Sequence, residues 1–228
     1  EFKDLRFKNV DFSYQNTGTP VLKNINFELN KNECIGIMGK SGEGKTTFVD
    51  IMLGLLKPQS GEILINDNLI DDYVSNFVGT IAYVPQEPII LDEKISTNIA
   101  LETNENEINY EKLQYAINQA NFNQVVEKFQ KKTETKVGDN GIRLSGGQNK
   151  RLALSRAFYH GKKIIVIDEA TSALDFKTES LIAEEIKLIK GKTTIVIISH
   201  SENILKYCDK IYTIEDKSIK LSKQNVIN

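Results

Sequence analysis

The chain has 228 residues, of which 29 are Lys or Arg and 31 are Asp or Glu, so its formal net charge is −2 at pH 7. This near balance excludes a strongly basic protein that binds nucleic acid through bulk charge, while a local basic patch remains open. The two cysteines lack disulfide or zinc spacing, and two histidines are too few for a histidine metal cluster. No apolar run approaches the ~18–20 residues of a membrane helix, and no signal peptide is visible.

The N-terminal part of the chain alternates apolar and polar residues. This pattern predicts two strands of an antiparallel sheet with one solvated face, LRFKNVDFSY and NINFELN. A buried strand and an amphipathic helix are then predicted at ECIGIM and TTFVDIMLGLL. The segment KPQSG breaks the helix, and two further strands are predicted at EILIND and IAYVPQEP.

The rest of the chain is mostly helical from about residue 92 to residue 160. Nearly continuous apolar runs follow at KIIVID and TTIVIISH, as expected for parallel strands covered on both faces, with the helix TESLIAEEIKLIK between them. Two more strands are predicted at CDKIYTIED and KSIKLSK. The predicted fold is an α/β core with an antiparallel β subdomain and a helical insertion.

The segment GKSGEGKTT lies between the predicted buried strand and the amphipathic helix, and it fits the phosphate-loop pattern G-x-x-x-x-G-K-[ST]. Its glycines let backbone N–H groups point at a phosphate, with the positive end of the helix behind them. Lys45 can reach the β- and γ-phosphates, and the Thr46 hydroxyl can ligate Mg²⁺. The sequence therefore predicts a nucleoside triphosphate site. Its predicted nucleotide-binding residues are Gly39, Lys40, Ser41, Gly42, Gly44, Lys45, Thr46 and Thr47.

Asp168 and Glu169 follow the apolar strand KIIVI, at the carboxyl end where open α/β sheets bind ligands. Asp168 is placed to hold Mg²⁺ through its water shell. Glu169 would then orient or deprotonate the water that attacks the γ-phosphate. If the acidic pair is considered without the phosphate loop, the alternative is that both residues are simply solvated at the end of a strand.

The segment LSGGQ offers a second anion site, because its serine and glycines precede an amphipathic helix whose first N–H groups and dipole attract a phosphate. The alternative is a serine N-cap with a flexible turn. One phosphate loop already serves one nucleotide, so the second helix end suggests a ligand supplied from elsewhere. The segment comprises Leu144, Ser145, Gly146, Gly147 and Gln148.

Phosphate loop, LSGGQ and IVIDEATSALD in this order resemble the nucleotide-binding domain of an ATP-binding cassette (ABC) protein, over essentially the whole chain. The resemblance implies a phosphate-loop (RecA-like) core, with a helical signature subdomain at approximately 88–160, that hydrolyses ATP with Mg²⁺. It also implies a head-to-tail dimer, in which LSGGQ completes the partner's site in trans.

The same resemblance implies roles for isolated residues. Tyr14 resembles the aromatic that stacks on adenine, and Gln86 the glutamine that senses Mg²⁺, the attacking water and the membrane domain. Asp175 resembles the aspartate at the dimer seam, and His200 the histidine that contacts the γ-phosphate. For Tyr14 the alternative is packing at a strand end, and for His200 it is capping of the helix that follows.

Two stretches resemble the exporter branch of the family: TKVGDNG before the signature and YVPQEPIILDEKISTNIAL after the short strand. The segment VDIMLGLLKPQSGEI resembles exporters of lipids and lipid-linked sugars. The sequence departs from common exporter usage at Asp139, where glutamate is usual, at Asn149 after the signature, and at Ser201, where arginine is usual. The shorter Asp139 keeps the acidic function but has less reach to a partner.

An exporter assignment implies a transmembrane domain, expected N-terminal to this chain, and a second nucleotide-binding domain, expected to be an identical copy. The domain itself is expected to be soluble and to act at the cytoplasmic face of the membrane, without a nucleic-acid partner. Two alternatives stay open: a soluble ABC ATPase acting in DNA repair or on ribosomes, and a regulatory module that binds ATP without hydrolysing it.

Overall fold

The computed structural model describes residues 2–15, 18–69, 79–168 and 176–224. The strands are β1 (Asp4–Ser13), β2 (Pro20–Asn30), β3 (Cys34–Met38), β4 (Ser60–Ile65), β5 (Asn68–Leu69), β6 (Ile81–Val84), β7 (Ile164–Asp168), β8 (Thr194–Ile198), β9 (Lys210–Glu215) and β10 (Ser218–Gln224). The helices are α1 (Lys45–Met52), α2 (Ile95–Ala100), α3 (Tyr110–Gln119), α4 (Asn123–Val126), α5 (Gly146–Tyr159), α6 (Phe176–Ile189) and α7 (Glu202–Leu205).

The chain forms two compact units. The first consists of Glu1–Tyr83, Lys163–Leu174 and Lys190–Asn228, and it contains the two sheets. The second consists of Val84–Lys162 and Asp175–Ile189 and is helical. In the second unit α5 packs against α2 and α3. No helix in the described ranges is long and apolar enough to cross a membrane.

The first sheet is antiparallel, with the strand order β2-β1-β4-β5. Alternate residues of β1 are buried, as a sheet with one solvated face requires. The alternation is interrupted between Phe7 and Val10, where the pairing with β2 and the φ of 51° at Asn9 mark a bulge. The two predicted antiparallel strands are therefore confirmed.

The second sheet has the order β10-β9-β3-β8-β7-β6, and β9, β3, β8 and β7 pair in parallel. All five residues of β8 are buried, which agrees with its continuous apolar sequence. Ile198 is the register partner of both Ile37 and Asp168. The carboxyl ends of three parallel strands thus lie side by side, and the predicted α/β fold is confirmed.

Some predicted helix boundaries are wrong. The helix after the phosphate loop ends at Met52 rather than continuing through GLL, because Gly54 adopts a left-handed conformation with φ 75°. The predicted run YEKLQYAINQANFNQVVEKFQ is broken between α3 and α4, where Asn121 has a φ of 50°. Both errors are local turns that hydrophobic periodicity does not reveal.

We predict that Gly61→Ala destabilises the first unit. Gly61 has a φ of 85°, and an added Cβ would lie 2.4 Å from the Asn9 carbonyl oxygen and 2.6 Å from that of Lys8. Both obstacles are backbone atoms, which cannot rotate away. A left-handed alanine costs about 1–2 kcal/mol and overpacking about 1–3 kcal/mol, so urea denaturation should show a loss of roughly 2–5 kcal/mol in unfolding free energy.

Gly191→Ala is the matched control, since Gly191 has a φ of 76° and nothing within 4 Å of an added Cβ. This control should lose only the conformational part, about 1–2 kcal/mol. Equal losses for the two variants would show that the contact with the bulge at Asn9 is unimportant.

Candidate nucleotide-binding site

The predicted phosphate loop connects β3 to α1 in the first unit. Gly39 leaves β3 with a φ of 153°, and a Cβ there would lie 2.6 Å from the Ile214 carbonyl oxygen, so only glycine fits. Gly44 is the N-cap of α1 in a left-handed conformation and provides no side-chain cap. The first turn of α1 contains no acidic residue, so its N-terminal N–H groups and positive dipole end suit an anion.

The Lys45 ammonium lies inside this loop, where it donates to the Gly39 carbonyl and, at 2.7 Å, to the Lys40 carbonyl. Partial burial lowers the pKa of Lys45, while the carboxylates of Asp168 and Glu43 act in the opposite direction. Lys45 and Asp168 are thus close enough to interact electrostatically, which links the phosphate loop to the end of β7.

The two threonines of the loop differ in exposure. Thr46 is exposed, whereas Thr47 is buried and its hydroxyl lies 3.1 Å from the Tyr14 hydroxyl. The Tyr14 ring contacts Phe12 edge-on with 5.0 Å between centroids, yet 42% of Tyr14 is exposed. Tyr14 therefore combines strand-end packing with a surface that is accessible beside the first turn of α1.

Asp168 is the last residue of β7 and is half-buried. Its Oδ2 accepts a hydrogen bond of 2.7 Å from the Tyr83 hydroxyl, near the end of β6. Burial and this bond raise the pKa of the Tyr83 phenol. Sequence reasoning missed Tyr83; the only signal was an aromatic residue near the end of a strand whose neighbour in the sheet was unknown.

His200 follows β8 and is exposed. The residue after it, Ser201, is the N-cap of α7, with its side chain accepting from the Ile204 N–H at 3.4 Å. The Ser201 N–H in turn donates to Ser199 Oγ at 3.0 Å. Ser201 therefore caps α7, and the alternative that His200 caps this helix is wrong.

The LSGGQ segment belongs to the helical unit. Ser145 is the N-cap of α5 and forms a capping box with Gln148: Ser145 N–H donates to Gln148 Oε1 at 2.9 Å, and Gln148 N–H donates to Ser145 Oγ at 3.4 Å. A Cβ added to Gly146 or Gly147 would meet nothing within 4 Å, and neither glycine has a positive φ. No contact within the described chain explains why these two residues are glycines.

Gln86 also belongs to the helical unit and is exposed. The segment after it is held by Asn98, whose side chain bonds the backbone of Leu91 and whose Oδ1 accepts from Arg156 at 2.9 Å. Arg156 also donates to the Ile89 carbonyl at 2.7 Å.

The TKVGDNG segment joins the same surface of the helical unit. Asn140 donates to Asp92 through its N–H and its side chain, at 2.9 and 2.5 Å, and the Val137 N–H donates to the Glu93 carbonyl at 3.0 Å. These contacts connect the two stretches that the sequence analysis assigned to exporters.

The other predicted residues of the two loops differ in exposure. Lys40, Ser41 and Gly42 are exposed in the loop, and Leu144 and Gln148 are half-buried. Glu169 and Asp175 lie outside the described residues.

Comparison with known proteins decides the family. The family model described as ABC transporter matches residues 22–172. The chain belongs to the ABC transporter family. It is an ATP-binding domain of this family, whose members of this kind are ATPases.

Among curated proteins, the domain is 33% identical over 217 residues to the ATP-dependent lipid A-core flippase of Pasteurella multocida (strain Pm70), covering 95% of this chain and 37% of that protein. It is 34% identical over 217 residues to the leukotoxin translocation ATP-binding protein LktB of Mannheimia glucosida, covering 95% of this chain and 30% of that protein. The chain thus spans about a third of the length of these relatives.

A solved structure described as a bacterial Atm1-family ABC exporter with ATP bound is similar to this ABC domain with a TM-score of 0.79 and 26% identity, over 99% of this chain and 39% of that one. These comparisons give no support to the alternative of a soluble ABC ATPase acting in DNA repair or on ribosomes.

Proposed function

We propose that this ABC domain is the ATPase of a membrane exporter, in which two copies of the chain close around two ATP molecules and drive a transmembrane domain. The observation that carries the proposal is the presence of two anion-seeking helix ends on one chain. One is the phosphate loop before α1, and the other is the glycine pair at the start of α5, whose surroundings are open.

The phosphate side of the site is assigned to α1 and its loop. The uncapped N–H groups of α1 would bind the phosphates, and the Lys45 ammonium would exchange its carbonyl partners for phosphate oxygens. The exposed face of Tyr14 would receive the base. Its hydrogen bond to Thr47 supports this assignment, because it holds the ring against the same helix turn.

The donors at this edge fit Mg²⁺, which prefers oxygen ligands and usually takes only one or two from the protein, the rest being water and phosphate. The exposed Thr46 hydroxyl and the Asp168 carboxylate would hold it, with Gln86 assigned by resemblance. When bound, the metal supplies charge neutralisation for the phosphates. Asp168 lies near Lys45, which supports its assignment to the same phosphates.

Hydrolysis is assigned to the residues that follow the strand ends. Glu169 would accept a proton from the attacking water, and the exposed His200 would contact the γ-phosphate. Because His200 does not cap α7, its ring is available for this contact. An intact Glu169 and His200 favour hydrolysis over a regulatory module that only binds ATP.

The signature segment is assigned to the partner's nucleotide. Glycine is a poorer helix former than alanine, by about 1 kcal/mol in a helix interior. No contact within the described chain explains the two glycines, whereas a phosphate approaching the N–H groups of Gly146 and Gly147 does. Asp175 is assigned to the dimer seam by resemblance, and identical copies would form the dimer.

The transmembrane partner is assigned to the surface that follows Gln86. Ile89 is 75% exposed, and Leu91 and Ile142 are also exposed. Asn98 and Arg156 hold the segment of Ile89 and Leu91, and the segment of Ile142 is bonded to it through Asn140 and Asp92. Such apolar exposure on an anchored segment suits a protein interface. Because the two relatives are named for different cargoes, we assign export at the cytoplasmic face of a membrane without naming what is transported.

We predict that Tyr14→Ala weakens ATP binding by roughly 1–3 kcal/mol, because the base loses its aromatic platform. Tyr14→Phe keeps the ring and loses only the hydrogen bond to Thr47, which contributes about 0.5–1.5 kcal/mol. This variant should therefore retain most of the ATP affinity. Isothermal titration calorimetry measures both. An alanine variant that is folded and binds ATP like the wild type would assign Tyr14 to packing against Phe12 alone.

We predict that Glu169→Gln binds ATP nearly normally and hydrolyses it about 10²–10⁴ times more slowly, because an amide cannot accept the water's proton. Slow hydrolysis should trap an ATP-bound dimer, visible as a doubled mass in light scattering. Glu127→Gln, the same change at an exposed residue of the helical unit, should retain wild-type turnover. Wild-type turnover in Glu169→Gln would remove Glu169 from the mechanism.

The shared site is tested by mixing two inactive variants. Lys45→Ala removes the phosphate-loop cation, and Ser145→Asp puts a negative charge against the partner's phosphate while an aspartate still caps α5. Each variant alone should lose ATPase activity, because both sites of a homodimer are damaged. A mixed dimer should regain one intact site, with Lys45 from one chain and Ser145 from the other.

Activity on mixing should therefore rise above the sum of the two variants and depend nonlinearly on protein concentration. Circular dichroism and thermal melting confirm that both variants are folded. A Ser145→Asp variant that keeps wild-type activity would contradict the shared site, as would wild-type activity per chain that persists in a demonstrated monomer.

A further inference from the structure

The hydrogen bond between Tyr83 and Asp168 connects two neighbouring strands at the edge where the nucleotide is proposed to bind. Tyr83 lies one residue before the end of β6, and Asp168 ends β7. The two residues are 85 positions apart in the sequence, and the phenol donates to Oδ2 at 2.7 Å. Tyr83 remains 41% exposed, so its ring also forms part of the accessible surface there.

The bond has a consequence for the carboxylate. Rotation about the terminal bond of an aspartate is soft, with a broad range of accessible angles. A phenol held on one oxygen narrows this range and leaves the other oxygen, Oδ1, to face a second partner. Charge-assisted hydrogen bonds of this kind are stronger than neutral ones, so the constraint is effective even at a partly exposed site.

Lys45 gives the direction of that second partner. The ammonium lies in the phosphate loop and interacts electrostatically with Asp168. The strand order places β6 next to β7 on one side, and β8 followed by β3, which leads into the phosphate loop, on the other side. Tyr83 therefore lies on one side of β7, and the phosphate loop, where the phosphates are proposed to bind, follows a strand on the other side.

We infer that Tyr83 is a positioning residue for the divalent cation: it acts through Asp168 by holding Oδ2, so that Oδ1 is presented to a metal-bound water. This inference rests on the proposed function, because the metal role of Asp168 belongs to that proposal. Tyr83 itself touches neither the metal nor the nucleotide in this assignment. Its removal should therefore affect the metal dependence of binding and spare metal-free nucleotide binding.

Two other roles for Tyr83 lead to different results. If the phenol is only a surface group, Tyr83→Phe changes nothing that depends on the metal. If the phenol instead competes with the metal for Asp168, its removal tightens metal binding. A weaker metal affinity in Tyr83→Phe thus distinguishes the positioning role from the two other roles.

The experiment uses Tyr83→Phe, which keeps the ring and removes only the hydroxyl. Mn²⁺ is titrated into the chain with a non-hydrolysable ATP analogue, and bound Mn²⁺ is followed by electron paramagnetic resonance. The half-saturating Mn²⁺ concentration should rise roughly 3- to 10-fold, the loss expected for one hydrogen bond. Affinity for a fluorescent ATP analogue in EDTA should stay within twofold of the wild type.

Tyr115→Phe is the matched control, because Tyr115 lies on α3 in the helical unit and is 58% exposed. It should leave both quantities unchanged. An unchanged or lower half-saturating Mn²⁺ concentration in Tyr83→Phe overturns the inference while leaving the proposed function intact. A wild-type chain that binds no nucleotide, with or without metal, overturns the proposed function itself.

Discussion

The register of three parallel strands is the constraint on which the nucleotide site depends. Ile198 in β8 is paired with Ile37 in β3 and with Asp168 in β7. The phosphate loop begins just after β3, and His200 follows Ile198 by two residues. A slip of one residue in either pairing would shift a strand by ~3.3 Å and separate Asp168 from the Lys45 ammonium. The buried branched side chains of these strands resist such a slip, so the apolar core sets the spacing of the polar groups at its edge.

The glycines of the two anion-seeking segments differ in what an added Cβ would contact. The difference separates glycines that the fold of this chain requires from glycines that it does not require. Gly39 and Gly44 have positive φ angles, and an added Cβ would meet backbone or side-chain atoms of the same chain within 3.0 Å. Their identity is explained by folding alone. Gly146 and Gly147 have no such neighbour among the described residues and no unusual φ, although glycine is a poorer helix former than alanine. No contact in the described part of the chain explains their identity, which is why the dimer proposal is argued from α5 rather than from the phosphate loop.

Sequence reasoning predicted the elements whose pattern is local, and it failed where two distant segments meet. The phosphate loop, the two apolar parallel strands and the antiparallel strands each carry their own signal in a short window. The end of α1 was wrong because Gly54 takes a left-handed conformation before the apolar run ends. Tyr83 was missed because its bond to Asp168 depends on β6 and β7 being neighbours in the sheet, and periodicity does not give strand order. The contact between Tyr14 and Thr47 is of the same kind.

The distribution of charge at the site argues for a second chain independently of the glycines. A nucleoside triphosphate brings several negative charges, and the phosphate loop offers Lys40, Lys45 and the positive end of α1, worth roughly half an elementary charge, against the negative charge of Glu43. Asp168 adds a negative charge to the same edge, and this charge partly offsets the positive charge of the divalent cation that Asp168 would hold. The N-terminus of α5 supplies another positive end with no acidic residue in its first turn. Its capping box uses Ser145 and Gln148, both neutral, so the cap satisfies the helix without cancelling its dipole. A helix end that is capped yet remains electropositive suits the γ-phosphate of a partner's nucleotide, whose charge the phosphate loop of one chain would then share with α5 of the other.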